Sequence, residues 1–185
     1  MIEIPNMVMI GGNSRHAGKT TLACRIISKL SEKSEVIALK VTSIRPGDAH
    51  LHGHHHNEEF SGFRITEETD IHTLKDTSLM LHAGARRVFY VRADEDFVEQ
   101  AIQQFMALYD KGQPLICESR NLRRFVKPGL FLMMMRQPVV SAEKDVSAYL
   151  HLADKVLYYS ENQSDINYFT DRVSFEDHKF IFEKV

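Results

Sequence analysis

The run Met9-Ile10-Gly11-Gly12-Asn13-Ser14-Arg15-His16-Ala17-Gly18-Lys19-Thr20-Thr21 carries the densest chemical signal in the chain. An apolar stretch turns through glycines and enters a helical pattern at Gly-Lys-Thr, the context that a phosphate-binding loop requires. Backbone N–H groups of residues 14–20 can curl round a phosphate at the helix amino end, where the dipole favours an anion. Lys19 is then expected to reach the β- and γ-phosphates, and the Thr20 hydroxyl to bind Mg²⁺. The expected binding set is Asn13, Ser14, Arg15, His16, Ala17, Gly18, Lys19, Thr20 and Thr21, with the His16 ring turned to solvent. The strict pattern places glycine six residues before the lysine, where this chain has Asn13. Asparagine tolerates positive φ better than most residues, so the loop is expected to close through Asn13.

Mg²⁺ at such a loop needs a carboxylate beyond the threonine, normally at the carboxyl end of a neighbouring parallel strand. Glu118, directly after Leu115-Ile116-Cys117, is the candidate to hold the ion or to orient an attacking water. The competing reading of Glu118 is a solvated charge at a strand end. Asp48 is a candidate switch residue that would close over the γ-phosphate. Asn162-Gln163-Ser164-Asp165 is similar to the Asn-Lys-x-Asp guanine reader, with glutamine in place of lysine. The Asp165 carboxylate could accept both guanine N–H donors, though GTP and ATP both stay open.

Five of the ten histidines fall at His50, His52, His54, His55 and His56. Such density does not fit a packed core, so the segment is expected to be exposed. Its imidazoles could ligate Zn²⁺, Ni²⁺ or Cu²⁺, with Glu58 and Glu59 as harder donors. The alternative is a solvated loop that binds metal incidentally. Arg86, Arg87, Arg120, Arg123 and Arg124 form two local basic patches, read as ordinary surface charge or as a meeting place for an anionic substrate.

These residues need elements to position them. Met7–Ile10 reads as a buried strand, and Leu22, Ile26, Ile27 and Leu30 place an amphipathic helix over residues 19–32. Glu35–Val41 is a second strand, after which the pattern is lost from Thr42 to about Asp70. Leu74–Ala83 reads as a helix stopped by Gly84, and Val88–Val91 as a strand. Asp94–Tyr109 reads as a helix with Phe97, Ala101, Phe105 and Leu108 on its apolar face. Pro114–Cys117 and Leu130–Met135 are further strands, residues 145–153 a helix, Val156–Tyr159 a strand, and Arg172–Phe182 a hairpin or edge strand. Strands alternating with helices predict an α/β fold: three layers, with a mostly parallel sheet flanked by helices, as in P-loop NTPases.

Length and composition agree with one nucleotide-binding domain over residues 1–185. The chain is 43% hydrophobic and 26% charged, which excludes wholesale disorder and fibrous classes. A formal charge of -2 gives no reason to expect nucleic-acid or acidic-membrane binding. No apolar run approaches the roughly 18–20 residues of a membrane span, and the start of the chain lacks signal-peptide character. Cys24 and Cys117 lie far apart in apolar surroundings and read as reduced residues, so a cytoplasmic location is expected.

The order of these pieces resembles the molybdopterin-guanine dinucleotide biosynthesis protein B (MobB-like) family of small P-loop nucleotide-binding proteins. The matching parts are the Asn13–Thr21 loop, Lys40 before the histidine-bearing segment, Lys75-Asp76-Thr77, Ala83-Gly84-Ala85, the Val88–Val91 strand and Leu115-Ile116-Cys117-Glu118. The resemblance covers roughly residues 7–136. It implies Mg²⁺–GTP binding with weak GTPase activity, a role in molybdenum cofactor maturation beside its biosynthetic enzymes, and a homodimer. Nitrogenase-type relatives carry a second lysine at the position of Ser14, and Arg15 is the candidate to replace it. On this reading the histidines could touch a pterin cofactor. The alternatives are a nickel or zinc metallochaperone GTPase that stores metal on its histidine loop, and a small-molecule kinase in which an acceptor hydroxyl replaces water.

Overall fold

Side chains along the central strands alternate between two separate apolar clusters, and that alternation builds the fold. The computed structural model of the chain describes residues 1–44, 61–109, 111–137, 146–160 and 166–183. Seven strands form one sheet: β1 (Ile2–Gly12), β2 (Ile37–Ile44), β3 (Phe63–Glu68), β4 (Arg87–Asp94), β5 (Leu115–Glu118), β6 (Val126–Arg136) and β7 (Lys155–Tyr159). Their order is β3-β4-β2-β5-β1-β6-β7. Every pairing is parallel except that of β3 with β4. The expected α/β class, a mostly parallel sheet between helical layers, is the one the chain adopts.

Met7 and Met9 of β1, Leu39 of β2, Phe89 of β4, Cys117 of β5 and Phe131 of β6 point to one face. That face is covered by α3 (Val98–Phe105), through Val98, Ala101, Ile102 and Phe105, and by Tyr149 of the short α4 (Ser147–Leu150). Val8, Ile10, Ala38, Val88, Ile116 and Leu132 point to the other. There α1 (Lys19–Ser31) buries Leu22, Ala23, Ile26 and Ile27, beside α2 (Asp76–His82) and α5 (Ile166–Arg172). Each buried Leu or Ile of that stripe contributes about 1.5–3 kcal/mol. A hairpin of β8 (Val173–Glu176) and β9 (Lys179–Phe182) closes this layer with Val173 and Phe180. Lys29, in the last turn of α1, donates to the carbonyls of Thr170, Asp171 and Val173 and so satisfies the carboxyl end of α5.

Several boundaries differ from the sequence reading. β1 starts at Ile2, because a register shift opposite β6 between Ile4 and Val8 absorbs Pro5. β3 lies in the stretch where the pattern was lost: it is an edge strand with only Phe63 and Ile65 packed inward, so its alternation is faint. α5 is likewise unexpected, since one short helix with Ile166 and Phe169 inward leaves little periodicity. The helix expected over Asp94–Tyr109 contracts to α3 behind a 3-10 turn at Glu95–Phe97, and Phe97 and Leu108 are exposed, with Val98 and Ile102 taking their places. α2 starts two residues after Leu74, which is 90% exposed. No helix among the described residues is long and apolar enough to cross a membrane.

Candidate functional site

β1 runs into the loop and α1 rises from it, so the loop sits at the carboxyl end of the sheet, between the central strands. Gly18 takes φ +78° and serves as the N-cap of α1. That left-handed backbone suits glycine, and a Cβ there would also press on Met134 and the Tyr159 ring. No side chain caps the helix and its first turn holds no acid, so its amino end is open to an anion. Asn13 corrects the sequence reading: its φ is not positive. Instead its buried side chain accepts a bond from the Arg136 N–H at 2.9 Å, and its own N–H reaches the Met134 carbonyl at 3.2 Å. The loop is thereby pinned to the end of β6, a task that needs the amide side chain and that glycine could not perform.

Lys19 folds back over the loop, donating to the Ser14 carbonyl at 2.5 Å and to the Arg15 carbonyl at 3.4 Å. Burial depresses its pKa, and the Lys40 and Arg120 charges add to that, outweighing the opposite pull of Glu118 and Asp76. An anion in the loop would relieve this cost. Ser14 Oγ is buried without a hydrogen-bond partner among the described residues. Ala17 is buried, whereas Arg15, His16 and Thr21 are exposed.

The remaining groups arrive through strand register. Glu118 ends β5 opposite Ile10 of β1 and Lys40 of β2. Ile10 belongs to the cluster under α1, so Glu118 and Lys40 face the start of that helix. Thr20 Oγ1 lies 2.8 Å from Glu118 Oε2 and 3.0 Å from Asp76 Oδ1. Lys40 Nζ pairs with Asp76 Oδ2 and stands 3.6 Å from Glu118 Oε1. Glu118 is buried, so it is not the solvated strand-end charge of the competing reading. Burial by itself would lower the Lys40 pKa, but the two carboxylates raise it above the usual lysine value. Burial likewise opposes ionisation of Asp76, yet its bond and charge pairing with Lys40 hold it below the usual aspartate range.

Asp76 opens α2 and is aimed by a web of short-range bonds. Thr77 Oγ1 donates to Glu68 at 2.7 Å, the N–H groups of Thr69 and Asp70 also bind Glu68, and Ser78 Oγ donates to the Asp70 carbonyl. In the sequence, Lys40 and Asp76 are visible only as landmarks of the resemblance. Nothing in their spacing says that they meet.

A cavity of about 500 Å³ opens over these groups, from Lys19 and Ser14 across Lys40 and Glu118 to Arg120 and Asn121. Its lining mixes cations with the carboxylates of Asp76 and Glu118, and these with the Thr20 hydroxyl that bonds them are hard oxygen donors suited to a divalent cation. The arginines do not form patches. Arg120 lines this cavity, bonded to Asn121 and lying 5.2 Å from the Tyr149 ring centroid. Arg123 is buried against the Val126 carbonyl, and Arg86, Arg87 and Arg124 pair with Glu35, Glu67 and Glu95. Among the described residues no cluster of three or more His, Cys, Asp or Glu comes together for a metal. Asp48, His50, His52, His54, His55, His56, Glu58, Glu59, Asn162 and Asp165 lie outside the described residues. No known protein family, curated protein or solved structure matches the chain.

Proposed function

We propose that the chain is a P-loop nucleotide-binding protein that takes Mg²⁺ with a nucleoside triphosphate, GTP by the family resemblance, and assists molybdenum cofactor biosynthesis. The observation that carries the nucleotide reading is the meeting of Thr20 with the buried Glu118 beside Lys19, at an uncapped helix start. The loop N–H groups and Lys19 would take up phosphate charge, Lys19 exchanging its two carbonyl partners for phosphate oxygens. Thr20 and Glu118 would hold Mg²⁺, which when bound offsets charge on the β- and γ-phosphates. Glu118 would also orient a water. Arg120, on the cavity wall, adds positive charge, but hydrolysis is expected to be slow until a partner or second copy completes the site.

The molybdenum cofactor part rests on the order of the motifs, and Asn162 and Asp165 remain the candidates for reading guanine. The five histidines between His50 and His56 favour a second reading, a nickel or zinc metallochaperone GTPase.

Calorimetric titration with GTP and with ATP, each with and without Mg²⁺, tests the proposal. Mg²⁺-dependent binding that prefers GTP is expected, and absence of binding by either nucleotide overturns it. Equilibrium dialysis against Ni²⁺ and Zn²⁺, with and without Mg²⁺–GTP, weighs the second reading: tight binding that changes with nucleotide favours the metallochaperone. A phosphorylated metabolite among the products would instead point to a kinase.

A further inference from the structure

The Thr20 hydroxyl carries one hydrogen, yet carboxylate oxygens from two residues crowd it, Glu118 Oε2 at 2.8 Å and Asp76 Oδ1 at 3.0 Å. One proton cannot satisfy both. Two carboxylates that share a partner repel, and a cation between them offsets that repulsion. Lys40 supplies that cation. Its ammonium bonds Asp76 Oδ2 and lies 3.6 Å from Glu118 Oε1, so it grips the outer oxygens while Thr20 touches the inner ones. Lys19, the other lysine near the pair, is held by loop carbonyls.

The inner oxygens of Thr20, Asp76 and Glu118 surround one point with three hard donors, two of them anionic. A divalent cation there would stand close to the Lys40 ammonium, and the two positive charges would compete for the same pair of carboxylates. Lys40 stands on β2 with four rotatable bonds and lines the open cavity, so its ammonium has somewhere to go.

We propose that Lys40 is the built-in counter-cation of Asp76 and Glu118, that Asp76 is a cation ligand beside Thr20 and Glu118, and that a divalent cation binds only by displacing the Lys40 ammonium. This rests on the reading of the cavity as a Mg²⁺–nucleotide site, but the exchange itself involves the protein and the cation alone. Its consequence is selectivity in loading. Without phosphate, Lys40 holds the acidic pair in place and keeps stray cations out. When phosphates bring additional negative charge, they offer the displaced Lys40 ammonium a new partner, so metal uptake is tied to nucleotide arrival.

The test is a Mn²⁺ titration of the full chain without nucleotide, with free Mn²⁺ counted by electron paramagnetic resonance. Lys40→Met is expected to bind Mn²⁺ about tenfold tighter than the parent, since the competing charge is gone. Lys40→Arg, which keeps the charge, should stay near the parent, and Asp76→Asn should bind more weakly than either. Lys40→Gln serves as a second neutral variant should Lys40→Met fail to fold, as judged by thermal melting. If the neutral variants bind Mn²⁺ no tighter than the parent, or Asp76→Asn binds it equally well, the proposal is overturned. If the Mn²⁺ pattern holds while neither GTP nor ATP binds, the exchange stands and the nucleotide reading falls.

Discussion

The two ends of the sheet hold cavities of nearly equal size but opposite character. At the carboxyl end, about 500 Å³ lies over Lys19, Lys40, Asp76 and Glu118, whose charges share partners, with Glu118 buried and the others half-buried. At the amino end, about 480 Å³ lies between Glu35, Gln113 and the Asp177–His178 turn. There Glu35 and Arg86 approach to 3.7 Å, but both side chains are at least 65% exposed. Such a surface pair is worth about 0–1 kcal/mol. The comparison shows that volume does not make a site. What differs is convergence: the carboxyl end joins strand termini to uncapped helix starts, and two of the helices that begin there, α1 and α2, deliver a polar residue to the same point. The amino end has strand starts and a hairpin turn, whose polar groups mostly satisfy themselves, as His178 Nδ1 does with the Gly112 carbonyl at 2.9 Å.

The contrast can be broken most forcefully at Lys19. Lys19→Ala should weaken triphosphate binding by at least about a hundredfold in a calorimetric titration. It should leave the melting temperature nearly unchanged, because the side chain bonds only to its own loop. An unaltered affinity would remove the reason for treating the two cavities differently. Next in size, Glu118→Gln should lower nucleotide affinity by about tenfold or more when Mg²⁺ is present and much less in EDTA. Equal losses in the two conditions would mean that Glu118 shapes the loop without serving the ion.

Gly18→Ala asks whether the sharp entry into α1 is strained for other residues. At φ +78°, with the new methyl facing Met134 and Tyr159, a loss of about 1–2 kcal/mol is expected in chemical denaturation. The smallest effect separates the two ends by pH. Asp76 has a lowered folded-state pKa, so its contribution is present above the unfolded aspartate value of about 3.9 and fades as pH falls through the lower folded value. Lys40 has a raised one, so its contribution is present below about 10.4 and is lost as pH climbs through the higher folded value. Asp76→Asn should therefore melt about 2–4 °C below the parent across neutral pH, a modest figure because the carboxylate is partly exposed. The gap should narrow below about pH 4. Glu35→Gln at the opposite end should move the melting temperature by no more than about 1–2 °C.

Much of this arrangement is legible along the chain. The loop reads directly as a candidate phosphate cradle, because such a cradle needs consecutive backbone N–H groups and one lysine, all within a short run. The unbroken apolar runs Met7–Ile10 and Leu115–Cys117 read as strands buried on both faces, and Leu22, Ile26 and Ile27 as a helix face, because one-sided burial of a helix imposes a period of 3.6. Glu118 is legible through its place at a strand end. β3 and α5 are not, since an edge strand and a one-face helix each bury too few residues to leave a pattern. Asn13 reads as a glycine substitute only until its side chain is seen bonded to the Arg136 N–H, a partner 123 positions away.

By itself, then, the sequence determined the α/β alternation, the glycine-bearing loop between β1 and α1 and the carboxylate that ends β5, since each is written in contiguous residues. Only the tertiary structure decided that Thr20, Lys40, Asp76 and Glu118 share one point. Thr20 meets Asp76 across 56 positions and Glu118 across 98, and Lys40 meets Asp76 across 36. Those meetings depend on the parallel register of β2 with β5 and on where α2 begins, which are fixed by how two apolar faces pack and not by any local spacing.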